Sequence, residues 1–154
     1  MSCAIIVGGK AKDKQRAYQI IDNFVQDKDI SLLGMGLNRK LVTSIEFQVL
    51  VYANQNQIRY FDAAASSSRF YIPFISKSLS YKLIEKSKKT NDKNFLLVIH
   101  DGDIKPYKSI ISLAKKNNFI IEIKEIWFLF YLFKNNKKPS QFLKSEGFLL
   151  VFFF

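Results

Sequence analysis

Apolar residues in the first two-thirds of the chain switch repeatedly between a strand-like run and a helix-like stripe. Residues 4–7 form a short β-rich run closed by Gly8-Gly9, after which Ala17, Ile20, Ile21, Phe24 and Val25 recur at helical spacing. Residues 29–33 make a second apolar run ended by Gly34-Met35-Gly36, and Leu41, Val42, Ile45, Val49 and Tyr52 set up a second helical stripe. From Gln57 the pattern is extended again, through residues 58–61, a small-residue stretch at 63–68 and an aromatic run at 70–75 broken by Pro73, which reads as an edge hairpin with a long tip. A polar helix over 79–89 and a hydrophilic turn then lead into residues 95–99, an unbroken apolar run of the kind a strand buried on both faces requires. A helix over 104–117, with Pro106 tolerated in its first turn, and a strand over 119–123 complete a second β-α-β unit.

The expected fold class is α/β, with a composition shift near residues 76–93 dividing the chain into a unit over 1–76 and a basic, aromatic-rich α/β extension over 77–154. The apolar runs at 126–133 and 148–154 are far shorter than the roughly 18–20 residues a helix needs to cross a bilayer, so no membrane span is expected. The N-terminus has no basic segment ahead of a long apolar stretch, which gives an expected cytoplasmic or nuclear location.

Charge narrows the choice of partner. There are 24 Lys and Arg against 13 Asp and Glu, a net +11 that makes polyanions the natural ligands. Residues 1–65 hold eight of the bases and six of the acids, so most of the excess lies beyond them. Cys3 and His100 are the single cysteine and the single histidine, which removes a disulfide framework, a Cys/His zinc site and most nucleophile-histidine machinery.

Three clusters carry candidate chemistry. Lys10, Lys12, Lys14 and Arg16 alternate through the Gly-Lys turn and the helix start after the first run, suited to tracking phosphates without reading bases. Gly36, Arg39 and Lys40 sit where the second run turns into the next helix; glycine lets backbone N–H groups approach phosphate, and the start of a helix offers unpaired donors to an anion. Arg59 and Arg69 flank Tyr60, Phe61, Phe70, Tyr71 and Phe74, an interleaving that could stack on unpaired bases, although period-2 aromatics in a strand more often belong to a core.

The turn Val7-Gly8-Gly9-Lys10-Ala11-Lys12, the apolar helix face after it, and the segment Leu33-Gly34-Met35-Gly36 with Arg39 and Val42 following resemble the Alba family of nucleic-acid-binding proteins, which includes subunits of RNase P and RNase MRP. The resemblance covers about the first 53 residues. It implies an Alba-like β-α-β-α-β unit, phosphate contacts from Lys10 and Lys12, and assembly as a homodimer or heterodimer. The Leu-Gly-Met-Gly segment is closer to the RNase P and protozoan members than to the archaeal Arg-Gly-Arg version.

The expected function is therefore binding of RNA, in preference to DNA, through backbone phosphates, as a subunit of a ribonucleoprotein and without catalysis or cofactor. One alternative is a metal-dependent nuclease or phosphoryl-transfer protein in which Asp101 and Asp103 hold Mg²⁺ beside His100. That chemistry needs further carboxylates, with Asp62 and Glu122 as candidates, whereas Asp103 as a helix cap and Asp101 as a turn residue explain the pair without a metal. Another alternative is an interaction scaffold built on the aromatic residues Trp127, Phe128, Phe130, Tyr131 and Phe133 and the Phe-rich end.

Overall fold

The two longest apolar runs form the centre of one sheet. β1 (Ser2–Gly8) is buried at five consecutive positions and β4 (Lys93–His100) at five more, because both faces of each strand are covered. The computed structural model describes residues 1–36, 42–63, 76–89 and 92–126. Across them the order is β1, α1 (Lys14–Lys28), β2 (Leu32–Met35), α2 (Ile45–Gln55), β3 (Arg59–Asp62), α3 (Lys77–Lys88), β4, a 3-10 turn (Lys105–Tyr107), α4 (Lys108–Lys116) and β5 (Ile120–Glu125).

Among the described residues all four strand pairings are parallel and the strand order is β3-β2-β1-β4-β5. β1 and β4 lie side by side over seven residue pairs, from Ser2 opposite Lys93 to Gly8 opposite Ile99. A single sheet thus includes strands from both sides of residue 76.

Alternation along the central strands divides the core in two. Ala4 and Ile6 of β1, with Phe95, Leu97 and Ile99 of β4, pack under α1 and α2 through Ile21, Phe24, Val49 and Tyr52. Ile5 and Val7, with Leu96 and Val98, pack under α3 and α4 through Leu83, Ile84, Ile110 and Ala114. Helices on both faces of a parallel sheet, with the winding direction reversing between β1 and β4, make this a doubly wound α/β arrangement.

Three sequence expectations change. The extended region after Gln57 supplies β3, which lies parallel to β2 at the sheet edge, so its pairing is to an earlier strand; the remainder of the expected hairpin, with Arg69, Phe70, Tyr71 and Phe74, falls outside the described residues. Gly34 and Met35, expected to end the second apolar run, continue strand β2 beyond Leu33 and are buried with it. Gly34 is there because the Phe61 side chain of β3 lies against it, and an added Cβ would come within 2.8 Å of Phe61 Cε2.

The second helix also starts later than its apolar stripe implies. Ser44 caps it, its Oγ accepting from Phe47 N at 3.2 Å, and Val42 stands exposed in the turn before it. Ser44 and Glu46 at this start had no weight in the apolar periodicity, and a cap competes successfully with an apolar residue that gains no burial.

Candidate nucleic-acid interface

In a doubly wound sheet, ligands are accommodated outside the carboxyl ends of the strands, where the winding reverses. Here that point lies between the ends of β1 and β4, so it is framed by Gly8-Gly9-Lys10 on one side and His100-Asp101-Gly102-Asp103 on the other. The two segments are held differently.

The β1–α1 segment is fastened to the start of α2. Gly9 O accepts from Ile45 N at 2.9 Å, Thr43 O accepts from Ala11 N at 2.6 Å, and Lys10 forms an isolated antiparallel bridge with Ser44. Gly8 N donates to Glu46 Oε1 at 3.0 Å. The β1–β2 ladder ends at Ile5 opposite Gly34, so the Glu46 carboxylate serves the last N–H of β1 beyond the end of its pairing with β2. Gly8 leaves no room for a side chain: an added Cβ would lie 2.7 Å from Ile45 Cβ and from Ile99 O.

Glu46 is buried, 8% exposed, and burial pushes its carboxyl up to about 7 against the stabilising pull of the Gly8 N–H and its own backbone N–H. Sequence reading missed it because an acid in the first turn of a helix is ordinarily a surface residue complementing the dipole. Nothing in the linear pattern marks its burial.

The β4 segment is a tight turn. Gly102 adopts φ 121° and its N–H donates to His100 Nδ1 at 3.1 Å, which places the proton of a neutral imidazole on Nε2. Asp103 Oδ1 accepts from Lys105 N at 2.9 Å, a turn bond two residues on; the 3-10 turn and α4 start at Ile104 and Tyr107 without a side-chain cap, so the helix cap expected of Asp103 is not formed, and Asp101 and Asp103 are both exposed.

Neither further carboxylate considered for a metal joins this pair. Asp62 ends β3, three strand positions from β4, roughly 14 Å at the usual strand spacing. Glu122 lies partway along β5 and is engaged by Lys28 at 3.1 Å. Among the described residues no group of three or more His, Cys, Asp or Glu side chains stands close enough to hold a metal ion.

Cations collect along the same edge. Lys10, Lys12 and Lys14 are exposed and Arg16 is half-buried, all within the β1–α1 turn and the first turn of α1, where Asp13 Oδ1 caps Arg16 N at 3.0 Å. Lys77 opens α3; Leu79 of that helix lies against Gly36 beyond the end of β2, and Ser87 near its other end donates to Asn94 at the start of β4. The first turn of α3 therefore sits at the carboxyl edge. Lys105 and Lys108 open the turn and helix after β4. The first turns of α1, α3 and α4 contain no acid, the reverse of what the helix dipole favours.

Other expected contact residues fall elsewhere. Gly36 follows β2 at this edge, but its α-carbon faces Leu79 closely enough that an added Cβ would meet Leu79 Cδ2 at 2.8 Å. Arg59 begins β3, at the opposite edge of the sheet, with its guanidinium 2.8 Å from Met1 Sδ. Tyr60 is 41% exposed on the edge strand, whereas Phe61 packs on the second core. Arg39, Lys40 and the aromatic residues from Trp127 onward lie outside the described residues.

The thiol of Cys3 is fully buried in β1, and burial pushes it up to about 11, so it offers no nucleophile to this edge. Compared with protein-family models, curated proteins and solved structures, the chain has no significant match in any of the three.

Proposed function

We propose that this chain binds nucleic acid, RNA in preference to DNA, by gripping backbone phosphates along the carboxyl edge of its parallel sheet. The observation that carries this reading is the cationic character of three helix starts: Lys14 and Arg16, beside the Asp13 cap, and Lys77 and Lys108 occupy first turns that have no acid, where cations cost helix stability. Unpaired backbone donors at helix starts favour anions, and exposed lysines placed there strengthen that preference instead of competing with it. A linear polyanion fits cations spread along several elements better than a single small anion does.

The Alba resemblance supports the RNA preference and a role as a ribonucleoprotein subunit. The β1-α1-β2-α2-β3 order is compatible with the unit it implies, and Gly9-Lys10 falls at the end of β1 as that family's Gly-Lys turn would. Arg39 and Lys40 extend the proposed contact set through the chain that leads into α2.

Binding of a labelled uridine homopolymer and of duplex DNA across a salt series tests the reading. Steep salt dependence is expected, with the slope for single strands falling by about 0.7 for each phosphate that a Lys10→Ala/Lys12→Ala/Lys14→Ala protein no longer neutralises. Absence of binding at low salt would overturn it in favour of a scaffold. Cleavage that requires Mg²⁺ and disappears in Asp101→Ala/Asp103→Ala would replace it with a nuclease.

A further inference from the structure

We propose that Glu46 is a proton-linked latch on the phosphate-gripping segment: it opposes the polyanion when charged and stops opposing it when protonated, so that binding takes up a proton. The inference rests on the phosphate-binding reading and assigns that site its regulation.

Three observations lead to it. The carboxylate accepts from the last N–H of β1 at 3.0 Å, two residues before Lys10, while the backbone of Lys10 is bridged to Ser44, two residues before Glu46. Bonds from Ile45 N to Gly9 O and from Ala11 N to Thr43 O on either side of that bridge make the end of β1 and the start of α2 one unit. A charge change on Glu46 thus occurs at a fixed place relative to the backbone of Lys10. Finally, glutamine would satisfy Gly8 N equally well without burying a charge, so the hydrogen bond alone does not account for an ionisable group here.

Burial places the titration of this carboxyl at about 7, where small changes in neighbouring charge alter its occupancy. Among the described residues, the ionisable groups at this end of the elements packed around α2 are Lys10, Lys12, Asp13, Lys14 and Arg16 from the β1–α1 segment and Asp62 from β3; β2 contributes none, and His100 ends the adjacent β4. Phosphates bound by the lysines add negative charge beside the carboxylate, which favours its protonated form. Linkage then requires affinity to rise as pH falls through that region.

The test uses the full chain and a labelled uridine homopolymer without a terminal phosphate, so that the probe does not titrate, at constant ionic strength between pH 6 and pH 8. We expect binding roughly three- to tenfold tighter at pH 6 than at pH 8, a range set by one charge acting over several ångströms near a protein surface. Glu46→Gln keeps the acceptor for Gly8 N and should bind with the tight affinity at both pH values, whereas His100→Gln should retain the Glu46 part of the dependence. If Glu46→Gln, folded by circular dichroism, keeps the full pH dependence, or if the parent protein binds equally at both values, the latch is wrong while phosphate binding stands. Absence of salt-sensitive binding at either pH removes the phosphate reading and the latch together, an outcome distinguishable from the first two.

Discussion

Gly8 N–H donates to Glu46 Oε1 across 3.0 Å, so the central strand of the sheet ends on a buried carboxylate from the first turn of α2. An unfolded glutamate titrates near 4.5, whereas this one is pushed up to about 7 by burial. Below pH 4.5 the group is protonated in both states and burial costs it nothing. Between 4.5 and 7 the unfolded chain ionises first, so stability falls as pH rises, and above 7 the full penalty, about 3 kcal/mol, is in place. Urea unfolding of the parent and of Glu46→Gln at pH 4.5, 6 and 8 checks this: the variant should gain stability relative to the parent as pH rises, and an equal difference at all three values would refute it.

Gly8 is the tightest point of that junction. Its α-carbon is enclosed by Ile45 and the Ile99 carbonyl, the latter part of the adjoining β4 backbone and unable to rotate away. Gly8→Ala should lower stability by about 1–3 kcal/mol through overpacking, read as a shift in the urea midpoint at constant slope. An unchanged midpoint would mean that the ends of β1 and β4 separate easily.

Lys14 and Lys77 set stability against binding. Each opens a helix and is exposed, so Lys14→Glu and Lys77→Glu should stabilise their helices by roughly 0.3–1 kcal/mol each, the gain at position 14 being reduced by the neighbouring Asp13 cap. The same changes should weaken binding of the uridine homopolymer at least several-fold and flatten its salt dependence. Stabilisation with undiminished binding would place the phosphate contacts elsewhere.

Much of the architecture is legible from periodicity. The run at 95–99 reads as a strand buried on both faces and is one, and the stripe from Ala17 to Val25 reads as the inner face of α1, because long apolar patterns can be satisfied by few arrangements. Where a turn of chain had to be placed, local signals misled. Gly34 suggested the end of the second apolar run, yet it lies within β2 because Phe61 of β3 occupies the space a side chain would take, a contact between residues 27 positions apart in the chain. Val42 suggested helix, but α2 begins only after Ser44, whose hydroxyl supplies a cap that valine lacks.

The candidate site divides in the same way. The basic balance and the grouping of Lys10, Lys12, Lys14 and Arg16 are properties of the linear chain, and so is the turn bond of Asp103, because each depends on neighbours within a few residues. Arg59 looked equivalent to those cations but lies at the opposite edge of the sheet, since strand direction decides to which edge a terminal residue goes. The sequence by itself determined an α/β chain with a cationic start to its first helix and a single cysteine and a single histidine. Only the tertiary structure decided that β4 inserts beside β1, which brings Gly8-Gly9-Lys10 and His100-Asp101-Gly102-Asp103 to one edge and buries Glu46 at the end of β1. Pairing between strands separated by about 90 residues is a long-range choice, made by burial of both faces of the sheet and not by any local propensity.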